Sequence, residues 1–146
     1  MTKFLLSAII LFFGLSILAQ DPVSWTFEYQ KKDDSNGSII MTAQMDQGWV
    51  IYSQHTDEGG PIPTNFDWHA SPDFTYVGQV DELSKAIKGF SEMFELNVIK
   101  FKNEAIFEQK IQNVKNGAII KGSVTYMSCS GNKCLPPKEI RFEVKT

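Results

Sequence analysis

The chain's two cysteines, Cys129 and Cys134, stand with four residues between them in "YMSCSGNKCLPPKEI" (126–140). An even count at short spacing fits an intrachain bridge. Such a pair has two uses. As a staple it closes a very small ring, for which the chain-entropy account gives only about 2 kcal/mol. As a redox centre it needs one attackable sulfur, a second sulfur to resolve a mixed disulfide, and access for another protein. A hairpin tip supplies the access. Lys133, beside Cys134, would favour a thiolate there, although a lysine on a turn is ordinarily just solvated. Pro136 and Pro137 cannot donate ladder hydrogen bonds, so the following strand starts irregularly and the sulfurs fall at a sheet margin. Sequence does not say whether either X-Pro bond is cis. Spacing alone leaves staple and exchange site both open.

Few other residues offer chemistry. His55 and His69 lie far from the cysteines and not at metal-ligand spacing, so neither a metal nor a cofactor is expected. Asp57 and Glu58 read as a solvated loop tip. Asn36-Gly37-Ser38 has the form of a glycosylation sequon but reads better as a turn. No Ser–His–Asp set, phosphate loop or hydrolase-like carboxylate pair is present. A net charge of −3 without any Lys/Arg run argues against a nucleic-acid partner.

The start of the chain is not part of the fold. "MTKFLLSAIILFFGLSILAQ" has one early cation, Lys3, then an apolar run from Phe4 to Leu18, then small and polar residues. This is the pattern of a secretory signal peptide over 1–19, with cleavage expected after Ala19. The run is short of the roughly 20 residues a spanning helix needs. Export would carry the cysteines into an oxidising compartment where disulfides persist. The periplasm is the expected location, and the mature part is expected not to span a membrane.

Residues 20–146 form the expected single domain. Hydrophobic residues make up 42% of the chain and include eleven phenylalanines, enough for a core without metal or many disulfides. Period-two alternation recurs. Trp25, Phe27 and Tyr29 share a face, as do Ile39, Met41, Ala43 and Met45, then Ile120, Val124 and Tyr126. "KEIRFEVK" alternates most cleanly, with Ile140, Phe142 and Val144 inward. These are half-buried antiparallel strands. Asn36-Gly37 and Asp46-Gln47-Gly48 mark turns, Asn116-Gly117 predicts a two-residue hairpin, and "DEGGPIP" (57–63) is a loop. Residues 81–95 read as a loop over the surface because Gly89 interrupts any helical pattern. Seven to nine short strands give an all-β, Ig-like two-sheet antiparallel sandwich with a short cap loop; a small barrel is the alternative.

"GSVTYMSCSGNKCLPPKEIRFEV", together with "DPVSWTFEY" and "MDQGWVIYSQHT", resembles the N-terminal periplasmic domain of the thiol:disulfide interchange protein DsbD. The resemblance covers nearly all of the mature chain, and the Cys–loop–Cys-x-Pro-Pro element is its most specific part. It implies an Ig-like sandwich whose Cys129–Cys134 pair cycles between dithiol and disulfide. Electrons would come from a membrane-embedded thiol–disulfide transporter. They would pass to periplasmic acceptors such as disulfide isomerases and the thioredoxin-like proteins of cytochrome c maturation. By that resemblance Cys134 meets partners and the hidden Cys129 resolves. Phe94, in "SEMFELN", is implied as the shielding ring of a cap loop, with Tyr52 and Trp49 as aromatics near the pair. Tyr52 could hydrogen-bond near a sulfur; both are also good core residues, and the core is the expected place of Trp49. Asp81, Glu82, Glu92 and Glu95 would tint the cap negative and so raise a thiol pKa. The loop between the cysteines is one residue shorter than in familiar members, which would alter strain and potential. Further membrane and thioredoxin-like domains do not follow in this sequence, so the donor is expected on another polypeptide. The competing reading is a non-catalytic Ig-like adaptor with a structural disulfide.

Overall fold

The computed structural model describes residues 21–146; the expected signal peptide lies outside them. Among the described residues there is no helix, and every strand pairing is antiparallel. The first layer is a four-stranded sheet. β1 (Val23–Lys31) pairs with β2 (Asn36–Met45) through a turn in which the Asp33 carboxylate accepts from the Ser35 and Asn36 amides. The Asn36 side-chain amide also donates to Asp33 and braces that turn, but Asn36-Gly37-Ser38 themselves open strand β2 and are not the turn they were expected to be.

β3 (Val50–Tyr52) and β4 (Asn65–Trp68) leave this sheet, and β5 (Thr75–Glu82) returns to it, giving the order β1-β2-β8-β5, where β8 is Glu104–Gln112. Between β5 and β8 come β6 (Ile87–Ser91) and β7 (Leu96–Lys102). After β8 the chain forms β9 (Ile119–Tyr126), β10 (Ser128–Ser130), β11 (Lys133–Cys134) and β12 (Lys138–Lys145). The second layer contains a three-stranded sheet, β12-β9-β4, and a five-stranded sheet, β11-β10-β3-β7-β6. These two meet where Met127 alone separates β9 from β10.

The layers are held by the alternating apolar residues the sequence displays. Ile39, Met41, Ala43, Ile120, Val124 and Tyr126 are buried. Aromatic rings bridge the sheets: Phe27 stacks on Phe142 at 4.1 Å between centroids, and Phe107 meets both Phe66 and Phe101 edge-on. Gly122 sits between Trp68 and Phe142 in register, and the absent side chain lets those rings approach to 5.5 Å. At the edge, the Asp21 carboxylate receives the Lys138 ammonium, the Val23 amide and the Tyr126 hydroxyl, tying the start of β1 to the opposite layer. Partial burial pushes the Asp21 pKa up, but the Lys138 ammonium and the other donors outweigh it and hold the group below the usual carboxylate value.

Three further expectations are corrected. Asn116-Gly117 is a turn, with Gly117 at φ 75°, but no hairpin: β8 and β9 belong to different sheets. Tight turn chemistry cannot tell a hairpin from a corner between layers. Residues 81–95 are not a surface loop. β5 runs to Glu82 and β6 pairs with β7 in a hairpin, Gly89 standing opposite Val98. The twelve strands among the described residues exceed the expected seven to nine because β3, β4, β10 and β11 are too short to show alternation.

A Cβ at Gly122 would lie 2.7 Å from the Asp67 carbonyl oxygen, so Gly122→Ala is expected to cost about 1–3 kcal/mol in urea unfolding. Asp21 has a lowered folded pKa, so its contribution is present above the unfolded value and lost as pH falls through the folded one. The stability gap between wild type and Asp21→Asn is therefore expected at neutral pH and should close below about pH 4.

Candidate functional site: the Cys129–Cys134 hairpin under its cap turn

The β9–β12 ladder ends where Tyr126 faces Lys138. Beyond it, Met127 and Ser128 on one side oppose Leu135, Pro136 and Pro137 on the other. The surplus residue and two missing amide donors stop the ladder there. The tip of the hairpin is thereby released to pair elsewhere. Ser128 and Cys129 align with Ile51 and Val50 of β3, while Cys129 and Cys134 face each other across the β10–β11 pair. Gly131 turns the tip at φ 56°. The described residues contain no cis peptide bond, so both prolines are trans.

This placement makes the two sulfurs unequal. Cys129 lies on an inner strand, flanked by β11 and β3, and is 2% exposed. Cys134 lies on the edge strand and is only half-buried. The sulfurs are bonded, with the Cα atoms 4.1 Å apart. Disulfide sulfurs do not titrate; the reactive form appears only on reduction.

The five-stranded sheet uses its two faces differently, by the period-two rule. Ile51 and Phe101 point into the main core. Val50, Tyr52 and Val98 point the other way and form a second apolar cluster with Cys129 and Cys134. Tyr52 is fixed from behind, because the Thr64 hydroxyl donates to its carbonyl at 2.6 Å. Ser53 continues that anchorage, its hydroxyl and the Gln54 amide both donating to the Glu82 carboxylate. Burial raises the Tyr52 phenol pKa. Tyr52 meets the cluster through its ring; no hydrogen bond to a sulfur supports the expected polar role.

The β6–β7 hairpin brings its tip, residues 92–95, over this face. Phe94 packs on the cluster and meets Tyr52 edge-on, with centroids 6.1 Å apart. Met93 places its sulfur 3.5 Å from the Cys134 sulfur. Glu95 closes the turn at φ 55°, a left-handed conformation that costs a non-glycine residue about 1 kcal/mol. A cavity of about 190 Å³ separates turn and hairpin, lined by Val50, Tyr52, Met93, Phe94, Val98 and Cys129 among others.

A family profile described as thiol:disulfide interchange protein DsbD, N-terminal, matches residues 16–146. The chain belongs to this family. The solved structures it resembles include DsbD-type N-terminal domains. The N-terminal periplasmic domain of ScsB from Proteus mirabilis superposes with a TM-score of 0.63 at 18% identity, over 88% of this chain and 48% of that one. This chain thus spans about half of that structure's length. The Neisseria meningitidis DsbD N-terminal domain in its reduced form gives 0.55 at 18% identity, over 84% and 85% of the two chains. The complex of the DsbD and PilB N-terminal domains from the same organism gives 0.54 at 18% identity, over 82% and 80%. At that identity the likeness shows the DsbD N-terminal fold, an Ig-like sandwich. No curated protein sequence matches the chain.

The other predicted residues separate. Trp49 packs against the main core, one residue from Val50 at the site. Asp81 pairs with Lys110 and Glu82 with Ser53, so of the four acidic residues only Glu92 and Glu95 belong to the cap turn. His55 and His69 line different surface grooves, neither containing a cysteine. Among the described residues no group of three His, Cys, Asp or Glu side chains could hold a metal ion, and no helix is long and apolar enough to cross a membrane. Sequence reasoning missed Met93 and Val98. Met93 was findable, since a four-residue turn that seats Phe94 on the pair must bring its neighbour close.

Unequal burial predicts unequal labelling. After reduction, brief treatment with iodoacetamide is expected to modify Cys134 at least about tenfold faster than Cys129, read by peptide mass spectrometry.

Proposed function

We propose that this chain is an exported periplasmic domain that relays two electrons through Cys129 and Cys134, from a membrane-embedded thiol–disulfide transporter to oxidised periplasmic proteins of the thioredoxin-like or disulfide isomerase type. The observation that carries this reading is the pairing of a buried sulfur on an inner strand with a half-buried sulfur on the adjacent edge strand. An edge strand leaves one sulfur open to a second protein. The inner sulfur is out of a partner's reach yet remains bonded to the first. Docking of another domain on this fold has a precedent in the Neisseria complex of DsbD and PilB N-terminal domains.

The reaction runs in two halves. A donor thiolate attacks the Cys134 sulfur, and Cys129 leaves and takes up a proton. The donor's second thiolate then attacks its own sulfur in the mixed disulfide, releasing Cys134 and leaving the donor oxidised. In the second half the Cys134 thiolate attacks a client disulfide and expels one client thiolate. Cys129, as thiolate, then attacks Cys134, re-forms the bond and expels the second. Two electrons and two protons pass to the client, and no cofactor takes part. Phe94 caps the pair between encounters, its ring held on Tyr52. Moving the turn exposes Cys134.

The test is trapping. With Cys129→Ser, the remaining Cys134 is expected to accumulate as a mixed disulfide with a periplasmic partner that dithiothreitol dissolves, while Cys134→Ser accumulates none. The bridge is expected to equilibrate with glutathione above about −300 mV, the level below which structural disulfides typically lie. A bridge far below that level, together with no trapped partner, would leave a structural disulfide on an adaptor.

A further inference from the structure

The resemblance implies a phenylalanine as the shield, yet the atom that touches the outward sulfur belongs to its neighbour. Phe94 lies toward Tyr52, on the buried side of the cluster. Met93 lies toward the rim, its sulfur 3.5 Å from Cys134. A disulfide sulfur has no proton to donate, so this is a van der Waals contact between two soft, polarisable atoms rather than a hydrogen bond. Met93 is itself 38% exposed. Its thioether therefore stands between solvent and the one sulfur of the pair that solvent could reach.

We infer that Met93 is the direct cover of Cys134 and an oxidation site that governs it: as a thioether it keeps the disulfide closed to thiols, and as a sulfoxide it opens it. This rests on the exchange reading above. The chemistry needs a two-electron oxidant of the hydroperoxide class. The methionine sulfur attacks the outer peroxide oxygen, the O–O bond breaks, and thioether plus peroxide give sulfoxide plus water or alcohol. The product carries a strong dipole where the cover was apolar, so it prefers water to the disulfide. The turn has little to hold it against that change. Its other apolar contact at the site is Phe94, it is flanked by Glu92 and Glu95, and Glu95 is in the left-handed conformation. The four remaining methionines of the sequence do not occupy this position. Met41 and Met45 are buried in the main core, Met127 is half-buried against the Tyr52–Val98–Cys129 cluster, and Met1 belongs to the expected leader.

The experiment follows reduction of the oxidised mature protein by glutathione or dithiothreitol, before and after mild hydrogen peroxide, with thermal melts confirming that each variant is folded. Wild type is expected to be reduced about fivefold or more faster after peroxide, with sulfoxide at Met93 in the mass spectrum. Met93→Leu restores an apolar cover that cannot be oxidised, and should react slowly with or without peroxide. Met93→Gln, polar and of similar length, and Met93→Ala should react fast without peroxide. Equal rates in all four proteins, or a peroxide response that survives in Met93→Leu, would overturn the inference while leaving the exchange reading standing. A bond that neither thiol reduces even in Met93→Ala would defeat the exchange reading, and this inference with it.

Discussion

The site depends on one break in hydrogen bonding. β9 and β12 form a regular ladder until Tyr126 and Lys138, and there two prolines and one surplus residue interrupt it before the arms pair again as β10 and β11. The backbone groups of the next residues still need partners. They find them on β3, so the cysteine hairpin changes sheets instead of extending the one it came from. Because the hairpin joins β3, Cys129 becomes an inner-strand residue and Cys134 an edge residue. The chemical inequality of two identical side chains is a consequence of sheet order.

The same sheet carries two cores back to back. Alternation along β3 and β7 sends Ile51 and Phe101 into the large core and Val50, Tyr52 and Val98 to the disulfide. The rigid side, where aromatic rings interlock and Thr64 and Ser53 fasten the backbone of β3, holds the floor of the site. The cover comes from the β6–β7 tip, a short turn with few apolar contacts and a left-handed glutamate. Segments with few buried contacts open at low cost. A fixed floor beneath a loosely held cover is the arrangement that the proposed exchange calls for. Gly60 adds to this arrangement: a Cβ there would press within 3.1 Å of Leu96, so the 57–63 loop can lie close against the root of the cap hairpin.

Several features were legible because they depend on local pattern. The alternating strands of β1, β2, β9 and β12 bury the residues their period assigns. The cysteine pairing follows from there being two cysteines at short range, and the turn before Asn36 from residue type. The Asn116-Gly117 turn shows the limit: its geometry is as expected, but whether the strands on either side pair or part depends on what other strands compete for their edges. The 81–95 segment shows another. β6 gains its strand conformation by pairing with β7, and its own sequence, with exposed Ile87 and Phe90 around Gly89, has no buried face to announce it.

By itself, the sequence determined an all-β sandwich and a single disulfide at a proline-marked sheet margin, since each rests on residue type and spacing within a few positions along the chain. Which sulfur is hidden and which ring shields the pair were available beforehand only through the family resemblance; the tertiary structure decided how they are set, with Cys129 on an inner strand and Cys134 on the edge, Tyr52 on the pair and Trp49 on the main core, and Met93 against the Cys134 sulfur. Those are questions of which strand lies beside which, and strand order is set by long-range competition for hydrogen bonds and apolar contact that no local pattern records.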